Sequence, residues 1–208
     1  MDIQLRFHKD MLVLSAPIAA ALRRAGLDTA RDLEFTLLFE PDVVEEAYRL
    51  ESIAGAQCLV AATDGVTPAR LAVASMDGRG QDVVDAALEV VRAFRPQHVL
   101  AALGPCGLPL DSSSKASMTE NRDQYARAAR LFDGREVDGF LLEGFASCVD
   151  LMCALAGLDI VALTDHNTCG NCAAFCRAAE ARFQTAAGLM LGRGLIADPA
   201  LIDNEDAV

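Results

Sequence analysis

AQCLVAAT, residues 56–63, is a short apolar run that starts directly after Gly55, and Gly55 closes a helical pattern, VVEEAYRLESIAG at 43–55. Read as a buried strand following a helix, it sets a beat that the rest of the chain repeats. The helix before it opens at Glu40-Pro41, because proline is tolerated in a first turn and acidic residues suit that end of the helix dipole. Further upstream, 11–16 reads as another buried strand and 17–25 as a helix closed by Gly26. Downstream, a turn at Gly78-Arg79-Gly80 leads into a helix over about 81–94, the strand HVLAALG at 98–104, a loop rich in Gly, Pro and Ser, and a helix over about 120–132. The strand VDGFLLEGF at 137–145 follows, then a short helix at 149–156, the strand DIVALTD at 159–165, a helix to about 187, and a sixth strand candidate, GLML at 188–191. Strands alternating with helices mean parallel βα units in an α/β fold.

The chain of 208 residues suits one continuous domain, placed at 1–196, with a tail at 197–208 that carries four acidic residues. Eighteen basic against thirty acidic residues give a net charge of −12, which repels phosphate backbones and anionic lipid, so nucleic acid and membranes are excluded as partners. No apolar run reaches the roughly 20 residues of a membrane helix. MLVLSAPIAAAL at 11–22 has the apolar character of a leader, but Asp2 and Asp10 interrupt its basic flank and Arg23-Arg24 follow it, so it reads as mature structure. Seven cysteines, an odd number scattered through apolar segments, point to a reducing cytoplasm rather than a disulfide framework.

Three blocks together carry a family resemblance: EPDVVEEAYRLESIAGAQCLVAATDGVTPARLA at 40–72, LAALGPCGLPLD at 100–111 and REVDGFLLEGFAS at 135–147. With the run beginning at residue 11, they resemble the homocysteine S-methyltransferase family, whose barrel also forms the front of cobalamin-dependent methionine synthase. The resemblance covers roughly the first half of that barrel. It implies a parallel (β/α) barrel, methyl transfer to a thiol such as homocysteine, and a zinc ion held by three cysteine thiolates, which lowers the thiol pKa of the acceptor.

By position, Glu143 matches the family's strand-four glutamate that takes the substrate's amino group; the plainer reading is a strand-end acid paired with a neighbouring arginine. Thr63 is the survivor of a Thr-Asn-Thr stretch in which Ala61 and Ala62 replace the other two. Ser15 stands where the family has an aspartate, and Gly104 and Cys106 lie in the loop LGPCG at 103–107, which keeps the family's Gly-Pro. The resemblance thus implies a thiol-binding mouth of Glu143, Thr63, Ser15, Gly104 and Cys106. It leaves the methyl donor unidentified, since methylcobalamin, folate, betaine and S-methylmethionine all serve related enzymes.

A complete barrel of this type takes roughly 250 residues. With six strands at most and no Cys-Cys pair, the chain is expected to form an incomplete TIM barrel. An open sheet edge favours a second copy or a partner subunit. HNTCGNCAAFC at 166–176 offers a different ligand set, Cys169, Cys172 and Cys176 on one helical face with His166 beside them. Zinc binding, redox chemistry and plain core packing along Cys172, Phe175, Cys176, Ala179 and Phe183 are all open for this stretch. Two competing functions also stand: a noncatalytic subunit that completes a barrel with another polypeptide, and a flavin-binding barrel fragment, since GLMLGRGLIADPAL at 188–201 resembles the phosphate-binding segment of flavin-dependent barrels.

Overall fold

The computed structural model describes residues 12–158, Ile3, and the backbones of three strands at 161–165, 189–191 and 194–196. The elements run α1 (Ile18–Arg24), α2 (Leu33–Phe39), α3 (Pro41–Ile53), β1 (Cys58–Ala61), α4 (Pro68–Val73), α5 (Gly80–Ala93), β2 (His98–Leu103), α6 (Lys115–Arg130), β3 (Gly139–Leu142), α7 (Cys148–Gly157), β4 (Val161–Asp165), β5 (Leu189–Leu191) and β6 (Gly194–Ile196). β1 to β5 lie side by side in chain order, all parallel, as successive βα units require. The 11–16 run contributes a single parallel bridge, Leu14 to Cys58, on the outer side of β1. Among the described residues no pairing returns from β6 to that segment, so the sheet is an incomplete (β/α) barrel.

Besides the short helix α4, which was also not expected and opens with Pro68 in its first turn, three local differences from the sequence reading have physical causes. Residues 33–39 form a helix, α2, where no element was expected; the seven-residue LEFTLLF buries Leu33, Thr36 and Leu37 on one face while Phe35 and Phe39 stay exposed. α6 starts at Lys115, five residues before the expected 120, because the Ser114 side chain accepts the Ser117 N–H and caps it there. β6 pairs antiparallel to β5, with Leu191 opposite Gly194, where a single strand was expected. The cysteine stretch at 166–176, the helix expected up to 187 and the tail at 197–208 lie outside the described residues.

The two faces of the sheet are both apolar, which is why its strands read as continuous rather than alternating runs. One face, with Leu59, Ala61, Val99, Ala101, Leu103 and Leu142, packs on the helices. The other gathers Cys58, Val60, Leu100, Ala102 and Leu141 with Leu12 and Ile3, and is the interior of the barrel. Burial in that interior pushes the Cys58 thiol up to about 12, so it packs as an apolar group. Tyr48 locks α3 to β1: its buried hydroxyl donates to the Val60 carbonyl at 2.6 Å.

Candidate functional site

In parallel βα folds the loops after the strands meet at one end, and ligand chemistry collects there. Here the ends of β1, β2 and β3 are drawn together through Gly104. Its N–H donates to the Asp64 carbonyl at 3.1 Å, and the Glu143 N–H donates to the Leu103 carbonyl at 3.2 Å. A methyl group at Gly104 would come within 3.3 Å of the Asp64 carbonyl oxygen and 3.8 Å of that of Glu143. The loop after β2 is thereby held between the two acidic strand ends.

Glu143 follows Leu141 by two residues, so the alternation of the strand aims it at the interior face, above Leu141. It is half-buried. Burial pushes its carboxyl up from 4.5 to about 7; Asp64 adds to this and Arg23 opposes it. Asp64 is raised as well, chiefly by burial, while its own backbone amide, Arg70 and Arg23 pull the other way. The third carboxyl is Glu34 on α2, only 4% exposed. Burial takes it from 4.5 to about 7, opposed by its own backbone amide, reinforced by Asp64 and opposed again by Arg70. Asp64 is the common neighbour of the other two acids. At the mouth three carboxyls are therefore linked through Asp64 and tempered by two guanidiniums.

The other residues expected at the mouth hold structure together. Ser15 is buried, and its hydroxyl accepts the Val60 N–H at 3.0 Å, tying the first segment to β1 beyond the single bridge. Thr63 is fully buried and donates to the Ala102 carbonyl at 2.9 Å, joining the tops of β1 and β2. Cys106 is 1% exposed; its thiol donates to Asn121 Oδ1 at 3.0 Å and its N–H donates to the Tyr125 hydroxyl at 3.0 Å. Tyr125 in turn donates to Asp150 Oδ1 at 2.7 Å, so the LGPCG loop is anchored to both α6 and α7. Burial, first of all, holds the Cys106 thiol above its ordinary range, which keeps it protonated.

Among the described residues no three His, Cys, Asp or Glu side chains converge as metal ligands. Glu34, Asp64 and Arg70 were missed in the sequence. Asp64 was within reach, directly after Thr63 at the end of a strand; Glu34 had no signal, because its helix was not recognised.

The homocysteine S-methyltransferase family model matches residues 12–182, well over half of the chain. The chain belongs to the homocysteine S-methyltransferase family. Two solved structures of a homocysteine methyltransferase, MmuM from Escherichia coli, share the fold of this homocysteine S-methyltransferase family member. The metallated form superposes with a TM-score of 0.61 at 14% identity, covering 92% of this chain and 86% of that one. The oxidized form gives 0.63 at 15% identity, covering 96% and 97%. No curated protein sequence matches the chain. Among the described residues no helix is long and apolar enough to cross a membrane.

Proposed function

We propose that this family member transfers a methyl group to the thiol of homocysteine or a closely similar amino acid, with Glu143 taking the ligand's ammonium group. The observation that carries this reading is the half-buried Glu143 carboxyl directly after β3, whose charged form burial and Asp64 both disfavour. A carboxyl kept out of water gains from a bound ammonium, which supplies the counter-charge that burial denies it. In this reading Gly104 leaves room between the Asp64 and Glu143 strand ends, Ser15 and Thr63 keep those ends in register, and Cys106 fixes the loop over them. The methyl group passes from its donor to sulfur, and the thiol proton leaves. Methyl transfer to homocysteine, assayed with methylcobalamin, methylfolate, betaine and S-methylmethionine as donors, tests the reading: turnover with one of them is expected, and none with all four contradicts it.

The zinc that the family resemblance implies finds no set of ligands among the described residues, so no step is assigned to it. Cys169, Cys172, Cys176 and His166 are our proposal for its ligands. A metallated form is known for the related MmuM, which supports looking for one here. Protein purified without chelator should then carry about one equivalent of zinc, to be lost in Cys169→Ser; a tenth of an equivalent or less rejects it. We also propose self-association or a partner subunit, supported by a strand order that ends at β6 on one side and at the single Leu14 bridge on the other. A monodisperse monomer in sedimentation would contradict that. Cytoplasmic residence fits buried Cys58, Cys106 and Cys153, which are thiols.

A further inference from the structure

Glu34 is the group in the mouth that ligand binding by Glu143 leaves without a task. It is the second residue of α2, flanked by Leu33, Thr36 and Leu37, all buried. A glutamate on a seven-residue helix would ordinarily occupy the wet face, as the exposed Phe35 and Phe39 of this helix do instead. Its Oε2 is buried and has no hydrogen-bond partner among the described residues. Its Oε1 rests on Gly65, where any side chain would collide with it. The sequence therefore gives up a side chain at Gly65, next to Asp64, and seats a carboxyl in that space.

A buried carboxylate with one unsatisfied oxygen costs several kcal/mol, whereas the neutral acid costs far less, so the seat favours a bound proton. The charged groups around it divide in a definite way. Asp64, after β1, repels the ionised form, and Arg70 on α4 attracts it. Arg23 on α1 acts on Asp64 and Glu143. Arg79, ahead of α5, is engaged with Asp82 and with the ring of Phe39, and Glu40 and Asp42, at the start of α3, are exposed. Burial thus sets most of the balance at Glu34, and the charge in the mouth beside Asp64 adjusts it.

We propose that Glu34 is a proton-holding positioning residue of the mouth: a ligand ammonium seated at Glu143 and Asp64 offsets the Asp64 charge that adds to burial in holding the Glu34 proton, and Glu34 releases that proton to solvent. This rests on the reading that the mouth takes an amino-acid thiol. The exchange is balanced: the zwitterionic ligand brings its ammonium to the acids with its own charge state unchanged, Glu34 changes from carboxylic acid to carboxylate, and one proton leaves to solvent. The new carboxylate then strengthens the hold on the ammonium through Asp64 without touching it. Binding of an aminothiol is selected over a neutral thiol, and the selection weakens as pH falls.

Calorimetric titration of the full chain with L-homocysteine at pH 6.5, in two buffers of different ionisation enthalpy, counts the protons released. Glu143 contributes equally in every variant that retains it, so the difference between variants reports on Glu34. Wild type should release roughly half a proton more per ligand than Glu34→Gln, which keeps the size of the group and removes its proton equilibrium. Gly65→Ala gives an independent check, because its methyl evicts the Glu34 carboxyl towards water while leaving the acid in place; it should lose the same fraction. Equal release by wild type and both variants overturns the inference while leaving the functional reading intact. Absence of binding by wild type overturns the functional reading itself, and this inference with it.

Discussion

Replacing Glu34 by glutamine should change how stability depends on pH far more than it changes stability at any one acidic pH. The folded carboxyl is pushed from 4.5 to about 7, mainly by burial. Between those values the folded chain keeps a proton that the unfolded chain has already lost, so wild-type stability falls as pH rises through this window and levels off above it. At about 1.4 kcal/mol per pH unit, the whole window amounts to roughly 3 kcal/mol. Between pH 5.5 and pH 8 about 2 kcal/mol of this is lost. Those two pH values keep the experiment in a range where the chain retains much of its net charge of −12 and stays soluble. Urea unfolding of wild type and Glu34→Gln at both pH values gives four free energies. Glu143 and every other titrating group act in both proteins and cancel in the double difference. Glu34→Gln should gain about 2 kcal/mol on wild type between pH 5.5 and pH 8. A gap between the two proteins that stays constant to within about 0.5 kcal/mol would refute the reasoning, because it would mean that Glu34 is ionised in the fold or sits in water.

Two further outcomes follow from packing. Gly157 closes α7 where it crosses α6: a methyl there would lie 2.9 Å from the Ala126 nitrogen and 3.2 Å from the Arg122 carbonyl oxygen, both rigid backbone atoms. Gly157→Ala should therefore destabilise by about 1–3 kcal/mol in urea unfolding, against the usual gain from alanine in a helix; a stabilised variant would show that the crossing is looser. Tyr48→Phe removes the hydroxyl that donates to Val60 and leaves that carbonyl buried, which should cost about 1–2 kcal/mol with little change in the denaturant slope. An unchanged midpoint would mean that the bond contributes nothing net.

The parallel βα order was legible because its strands are buried on both faces, and the family resemblance supplied the barrel. Runs such as HVLAALG have every residue of β2 buried, as strands of a parallel sheet covered on both faces require, and they alternate with amphipathic segments that form the helices. Gly55, with positive φ, follows the end of α3 where the sequence indicated a stop, and Gly78, also at positive φ, lies in the turn expected at 78–80. What could not be read were features decided by tertiary contact. α2 is one and a half to two turns long, below the length at which periodicity is distinct. The antiparallel turn of β6 depends on where the chain meets β5. The mouth divides in the same way. Glu143 was legible as a lone acid in an apolar run, LLEGF. The hydroxyls of Ser15 and Thr63 and the thiol of Cys106 carry no mark in the sequence to say that they bond to Val60, Ala102 and Asn121 rather than to a ligand. Glu34 and Asp64 come together across thirty residues of chain, and only the fold brings Asp64 near Glu143.

The account stands most directly on the affinity of L-homocysteine for wild type and for Glu143→Gln, measured by calorimetry at pH 7.5. Removing the carboxyl proposed to meet the ammonium should weaken binding by roughly 30-fold or more, with folding unchanged. Equal affinity in the two proteins would place the ligand's ammonium elsewhere and contradict the role given to the end of β3.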